Sequence, residues 1–217
     1  MLGKEDTAVR GNFLSASAMF IAVAVTIINV VNPVIVLIGV SIGAVIGSLI
    51  ALRVKMTSIP EMVALFNGFG GLATFFIAWS EFNAIPDNVF QFIVIMLTTY
   101  IGGVTFSGSI IAYGKLSEKL KVKKDSFVTK IFTTFFYASI LFLVYSIGFT
   151  EIIELPINFY TVLLILTLLG GIGFVIPIGG GDMPVVISLL NSFSGIAAAF
   201  AGSVSYTHLT LPTTLVV

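Results

Sequence analysis

Phe90–Tyr113 reads FQFIVIMLTTYIGGVTFSGSIIAY and contains no Asp, Glu, Lys or Arg. An α-helix crosses a hydrocarbon layer about 30 Å thick in about 20 residues, and this run has that length and character. Outward from it, comparable apolar runs occupy 12–30, 34–52, 60–79, 130–149, 157–177 and 184–203. Each break between them holds charges or turn residues, such as Asn32-Pro33, Glu81 to Asp87, Glu151 to Pro156 and Gly179–Gly181. Composition agrees: 58% of the 217 residues are hydrophobic and 9% charged, and mean hydropathy is +1.15. A soluble domain carries about a quarter charged residues. One core cannot hide this much apolar surface from water, so the expected fold is all-α, a polytopic transmembrane helix bundle of about seven spans over residues 1–204.

Counting spans from the N-terminus sorts the charges. One side receives Lys4, Arg10, Arg53, Lys55, Lys115, Lys119, Lys121, Lys123, Lys124 and Lys130, which are all 10 basic residues. The other side receives none of them, but has Glu81, Asp87, Glu151 and Glu154. By the positive-inside rule the N-terminal side is expected to be cytoplasmic. The lysine cluster Lys115–Lys130 reads as a topology determinant and a headgroup contact.

Several chemistries lack material. Formal net charge is zero and no basic stripe is present, so no nucleic-acid partner is expected. With no cysteine and His208 as the sole histidine, neither a metal site nor a catalytic triad is expected. There is no P-loop and no Gly-rich nucleotide loop in a βαβ setting; GGIG at Gly170–Gly173 lies inside an apolar run and reads as packing. Small residues at Gly39, Gly43 and Gly47, and again around Gly102, Gly103, Ser107 and Gly108, mark faces where helices approach closely in lipid. Ser205–Val217, SYTHLTLPTTLVV, continues no helical pattern and is expected to be a non-native tail, which would leave His208 without meaning.

An internal repeat points to the candidate site. Met56–Gly71 reads MTSIPEMVALFNGFGG and Gly180–Gly195 reads GGDMPVVISLLNSFSG. At one constant offset Pro60 pairs with Pro184, Leu65 with Leu189, Asn67 with Asn191, and Gly71 with Gly195. Both segments start on the same side, so the repeat is parallel; repeats that line a shared site are common in transporters. Asn67 and Asn191 each lie two turns past their proline, about 10 Å along the helix. A carboxamide at that depth needs partners, because a bare one costs several kcal/mol. It is then either helix-to-helix glue or part of a wet path. Glu61 has capping-box spacing to Ser58, and Asp182 suits an N-cap or a proton-passing acid at the mouth. Ser192, beside Asn191, joins these candidates for a proton pathway. Thr105, Ser107 and Ser109 on the next helix are expected to bond their own backbone. No residue is assigned a catalytic role.

Four segments carry a family resemblance: RGNFLSASAM (Arg10–Met19), MTSIPEMVALFNGFGG, VTFSGSIIAYGKL (Val104–Leu116) and GGDMPVVISLLNSFSGIAAAFAG (Gly180–Gly202). Together they resemble the membrane domain of the beta subunit of proton-translocating NAD(P) transhydrogenase, from about Gly3 to Gly202. The resemblance implies a bacterial inner-membrane enzyme in which soluble domains, absent from this chain, bind NAD and NADP and pass hydride between them. The membrane part would couple that transfer to proton movement. It further implies an alpha-subunit partner, the chain's own NADP-binding domain beyond the last span, and a homodimer of the alpha–beta unit. Asp182 and Asn191 would stand at the mouth and in the channel. Asn67 stands where some relatives carry a channel histidine, which the alpha subunit is then expected to supply. Truncation at both ends is expected, with a chain silent on its own. The rival reading is a secondary transporter or channel for a small solute, built on the same parallel repeat.

Overall fold

The computed structural model describes residues 5–28, 33–84, 88–122, 126–148 and 157–205. Among these residues there are seven α-helices and no strand: α1 (Glu5–Ile28), α2 (Pro33–Arg53), α3 (Ile59–Asn83), α4 (Val89–Leu116), α5 (Phe127–Gly148), α6 (Ile157–Val175) and α7 (Met183–Ser205). Six are long and apolar enough to cross a membrane. The remaining helix, α6, has 19 residues, which at 1.5 Å each span roughly 28 Å. The fold class is therefore an all-α polytopic bundle. The N-terminal helix begins at Glu5, ahead of the apolar run, because no proline interrupts the polar residues before it. Lys4, Asp87, Lys123, Lys124, Glu151, Glu154 and the tail from Tyr206 onward, with His208, lie outside the described residues.

The chain divides into two compact units, residues 1–54 and 55–217. In the first, α1 and α2 pair and α2 buries no residue. Positions for a Cβ on Gly39, Gly43 and Gly47 meet no atom within 4 Å, so α1 does not cover the small-residue face expected there.

In the second unit α4 lies at the centre, packed against α3, α5, α6 and α7. Between helices in lipid, packing and hydrogen bonding do the work that water does around soluble cores, and small residues let backbones meet. On one face of α4, a Cβ on Gly102 would lie 2.9 Å from the Phe75 nitrogen, and one on Gly71 would lie 2.8 Å from the Phe106 nitrogen. On another face Gly103 meets Thr167 and Gly108 meets Val175 of α6. The GGIG run packs as expected: Gly171 sits against Val104 and Ser107, and Gly173 against the carbonyl of Phe132 on α5. The order of these pairs makes α3 antiparallel to α4 and α6 parallel to it, so α4 and α6 end together. Two apolar clusters close the bundle. One includes Phe92, Ile95, Met96, Leu143, Tyr160 and Leu163. The other, at the lysine-bearing end, includes Ala64, Ala112, Val175, Met183, Val186 and Leu190.

The end of α4 turns sharply. Glu118 takes a left-handed conformation, φ 55°, and the Leu120 N–H donates to the Gly114 carbonyl at 2.8 Å. A side chain in that region costs about 1–2 kcal/mol that glycine escapes. Glu118→Gly is expected to raise stability by about 1 kcal/mol, read as a higher unfolding midpoint in detergent; a lower midpoint would show that the Glu118 side chain outweighs its strain.

Candidate functional site

The sequence repeat is also a backbone repeat. A 3₁₀ turn, Met56–Ser58, leads into α3, and another, Gly180–Asp182, leads into α7. Each is preceded by an extended residue, Lys55 (φ −80°, ψ 149°) and Gly179 (φ −68°, ψ 154°). Pro60 and Pro184 are each the second residue of the helix that follows, where a missing N–H costs little. The capping box expected at Ser58 does not form. Ser58 sits at φ −98°, ψ 6° with no side-chain cap bond, because the 3₁₀ turn holds it out of the extended conformation a cap requires. Glu61 is half-buried in the first turn of α3. Asp182 closes the second turn with its N–H on the Gly179 carbonyl at 3.2 Å, and the residue is exposed.

Deeper in the bundle, Asn67 joins three helices. Its Nδ2 donates to Ser109 Oγ of α4 at 3.0 Å. Its Oδ1 accepts from Ser194 Oγ of α7 at 3.1 Å. Ser194 can turn the same hydrogen to the Leu190 carbonyl, 3.3 Å away. Ser109 is fully buried, while Asn67 and Ser194 are half-buried. The amide thus finds partners in an apolar layer, as its depth demands.

Asn191 is not in this clasp. It is exposed, and so is Ser192, whose hydroxyl donates to its own helix at the Ser188 carbonyl, 3.0 Å away. The physical reason is rotation. Leu190 on α7 is fully buried, while its repeat counterpart Phe66 on α3 is 45% exposed. Conversely Ser188 is exposed while its counterpart Ala64 is buried. The buried face has moved by two residues, about 200° around the helix. Equivalent amides therefore point to different surroundings, and Ser194 takes the place beside Asn67. Nothing in the alternation of NSFSG shows this until the buried face of α7 is known.

The three hydroxyls on α4 differ in the same way. Ser107 donates to its own helix at the Gly103 carbonyl, 3.0 Å away, as expected. Ser109 instead receives Asn67, and the Thr105 hydroxyl is buried without a partner.

At the end of the bundle the Lys115 ammonium reaches across to α6. It donates to the carbonyls of Val175 (3.1 Å), Ile176 (2.5 Å) and Ile178 (2.5 Å). A cation suits the negative end of a helix dipole, and it satisfies carbonyls that α6 leaves open where it ends. A shallow cavity of about 220 Å³ opens beside it, lined by Lys115, Glu118, Lys121, Ile178, Gly179 and Gly180. Lys115 was visible in the sequence only as one of a charge cluster. Between this mouth and the clasp lies the apolar cluster with Val175, Met183 and Leu190, each at 0% exposure.

Fold and site together define a multi-pass α-helical membrane protein with a polar clasp inside its bundle and a lysine-held mouth at one end. The chain belongs to the NAD(P) transhydrogenase beta subunit family, matching it over residues 1–216. Similar curated proteins include the NAD(P) transhydrogenase subunit beta of Rhodospirillum rubrum, 33% identical over 213 residues, with 93% of this chain and 45% of that protein covered. A second sequence of that name, from a particular strain of the same organism, matches equally. The chain spans about half the length of these curated relatives.

Proposed function

We propose that this chain is the proton-conducting membrane part of a Si/Re-specific, proton-translocating NAD(P) transhydrogenase. In that reading NAD and NADP are held by soluble domains outside this chain, including the beta subunit's own NADP-binding domain, and hydride passes from NADH to NADP. An alpha subunit is the partner, and two alpha–beta units form the assembly. The setting is a bacterial inner membrane, with the lysine-bearing end in the cytoplasm.

The observation that carries this reading is the Asn67 clasp, an amide tied to hydroxyls on two other helices within the bundle. An amide does not titrate near neutral pH. Its work is to hold Ser109 and Ser194 in orientations from which their hydrogens can shift between acceptors. The titrating group, a histidine of the alpha subunit, would meet α7 on the outward face that carries Asn191 and Ser192. Toward the mouth the path is dry at Val175, Met183 and Leu190. Met183 directly follows Asp182, so a nucleotide domain acting on the Gly179–Asp182 segment would move that plug and switch which side the clasp faces.

Asn67→Leu, in the complete enzyme reconstituted into vesicles, is expected to lower proton pumping on the order of 100-fold, while both nucleotide sites still bind. Pumping at the wild-type rate would remove Asn67 from the path.

A further inference from the structure

The Lys115 ammonium ties the core of the bundle to the segment that leads into α7. It donates to the carbonyls of Val175 at 3.1 Å, Ile176 at 2.5 Å and Ile178 at 2.5 Å. Among the described residues, these are the hydrogen bonds that hold residues 175–182 to another helix. The others near the segment's end are internal: the Ile178 N–H on the Val175 carbonyl, the Asp182 N–H on Gly179, and the Met183 N–H on Gly180. The three glycines add little grip. A Cβ on Gly180 or Gly181 would meet nothing within 4 Å, and one on Gly179 would meet Asp182 Oδ2 at 3.9 Å. Plug residues flank this lightly held segment, because Val175 and Met183 are each at 0% exposure in the dry cluster.

Lys115 stands on α4, which also carries Ala112 of that cluster and Ser109 of the clasp. Ser109 and Lys115 are six residues apart, about 9 Å along one helix. Clasp and lysine therefore share a frame, and the part free to move is the glycine segment. An ammonium has three hydrogens, so with three carbonyls engaged it has none for a new partner until it lets go. Charge-assisted bonds are the strong ones, and three from one donor bias a two-state equilibrium heavily. We propose that Lys115 is a positioning residue for proton transfer: its ammonium latches residues 175–182 with the plug shut, and each turnover draws that segment off Lys115 before the clasp meets the mouth. The inference rests on the proton-conducting reading above and adds the regulation of its gate. Lys115 neither takes nor gives a proton in this scheme. The latch keeps protons from crossing until a nucleotide domain moves the segment, so its loss separates hydride transfer from pumping instead of stopping both.

This chain has no cysteine, so Lys115→Cys gives it a single thiol. In the complete enzyme, with cysteines elsewhere replaced, 2-bromoethylamine rebuilds the lysine stem there with sulfur in place of one methylene. Alkylation with 2-bromoethanol gives the uncharged match. In vesicles, Lys115→Cys is expected to move about fivefold fewer protons per hydride, or fewer still, and to leak protons without turnover, while hydride transfer continues. Aminoethylation is expected to restore coupling, and hydroxyethylation is not. Normal coupling in Lys115→Cys overturns the inference, as does equal recovery, or no recovery, with both reagents. Hydride transfer and pumping lost in parallel overturn it too, because that is the mark of a damaged bundle. If Lys115→Cys fails to assemble, amide exchange in the unaltered enzyme decides instead. Ile178, Asp182 and Met183 should exchange about tenfold faster or more in one NADP(H) redox state than in the other, and equal rates overturn the latch. An unaltered enzyme that moves no protons would refute the underlying reading, whereas a pumping enzyme with a normally coupled Lys115→Cys refutes the latch alone.

Discussion

Replacing Gly173 by alanine is expected to force α5 and α6 apart and cost about 3 kcal/mol, the upper end for overpacking. A Cβ there would overlap the carbonyl of Phe132 and press on its carbon at 2.6 Å. The obstacle is backbone, so no rotamer change relieves it. The neighbouring crossing gives no slack either, because Gly170 on the same helix already lies against Ser139. A loss of that size is a large part of the 5–15 kcal/mol that typically separates folded from unfolded protein. Gly43→Ala is the matched comparison. That Cβ meets nothing within 4 Å, and alanine is the better helix former by up to about 1 kcal/mol. Thermal unfolding of the two variants in the same detergent should move in opposite directions, or leave Gly43→Ala unchanged. Equal midpoints would mean that the α5–α6 contact is looser than its geometry shows.

Lys115→Met is expected to be comparably severe, and its effect should be local. The ammonium serves three carbonyls that lie beyond the regular bonding of α6. Methionine follows the same stem but donates nothing. Hydrogen bonds to a charged donor contribute about 1.5–3 kcal/mol each, and carbonyls with access to water recover part of that, so a net loss of about 3 kcal/mol is expected. The amides of Ile178 and Asp182, bonded to Val175 and Gly179 at 3.1 Å and 3.2 Å, should then exchange with solvent roughly 100-fold faster. Lys115→Arg should not restore protection, because a flat guanidinium cannot aim at three convergent carbonyls as a tetrahedral ammonium does. Unchanged exchange at Ile178 and Asp182 would mean that the segment before α7 holds itself in place without Lys115.

Both effects belong to one design. Glycines bring the helices around α4 close enough for side chains one turn away to bond across, and the bundle then needs few polar groups to stay specific. The Asn67 clasp lies beside such a contact, since a Cβ on Gly68 would lie 3.2 Å from the Ser109 Cβ. A bulkier residue at 68 would press on Ser109 directly and break the Asn67–Ser109 bond with both partners unsubstituted.

What the chain decides locally was open to reading from residue order alone. Apolar length set the helices, charges and prolines set their ends, and the paired motifs at Pro60 and Pro184 announced two helices that start alike, because each of these depends on near neighbours and on the thickness of a lipid layer. Only the tertiary structure decided which face each helix buries. α3 is apolar nearly all round and gives little sign of its inner side, whereas α7 gathers Ser188, Asn191 and Ser192 on its exposed face. The 200° difference between them does not show in the aligned motifs, which pair residue for residue. That difference sends Asn191 outward and sets Ser194 against Asn67.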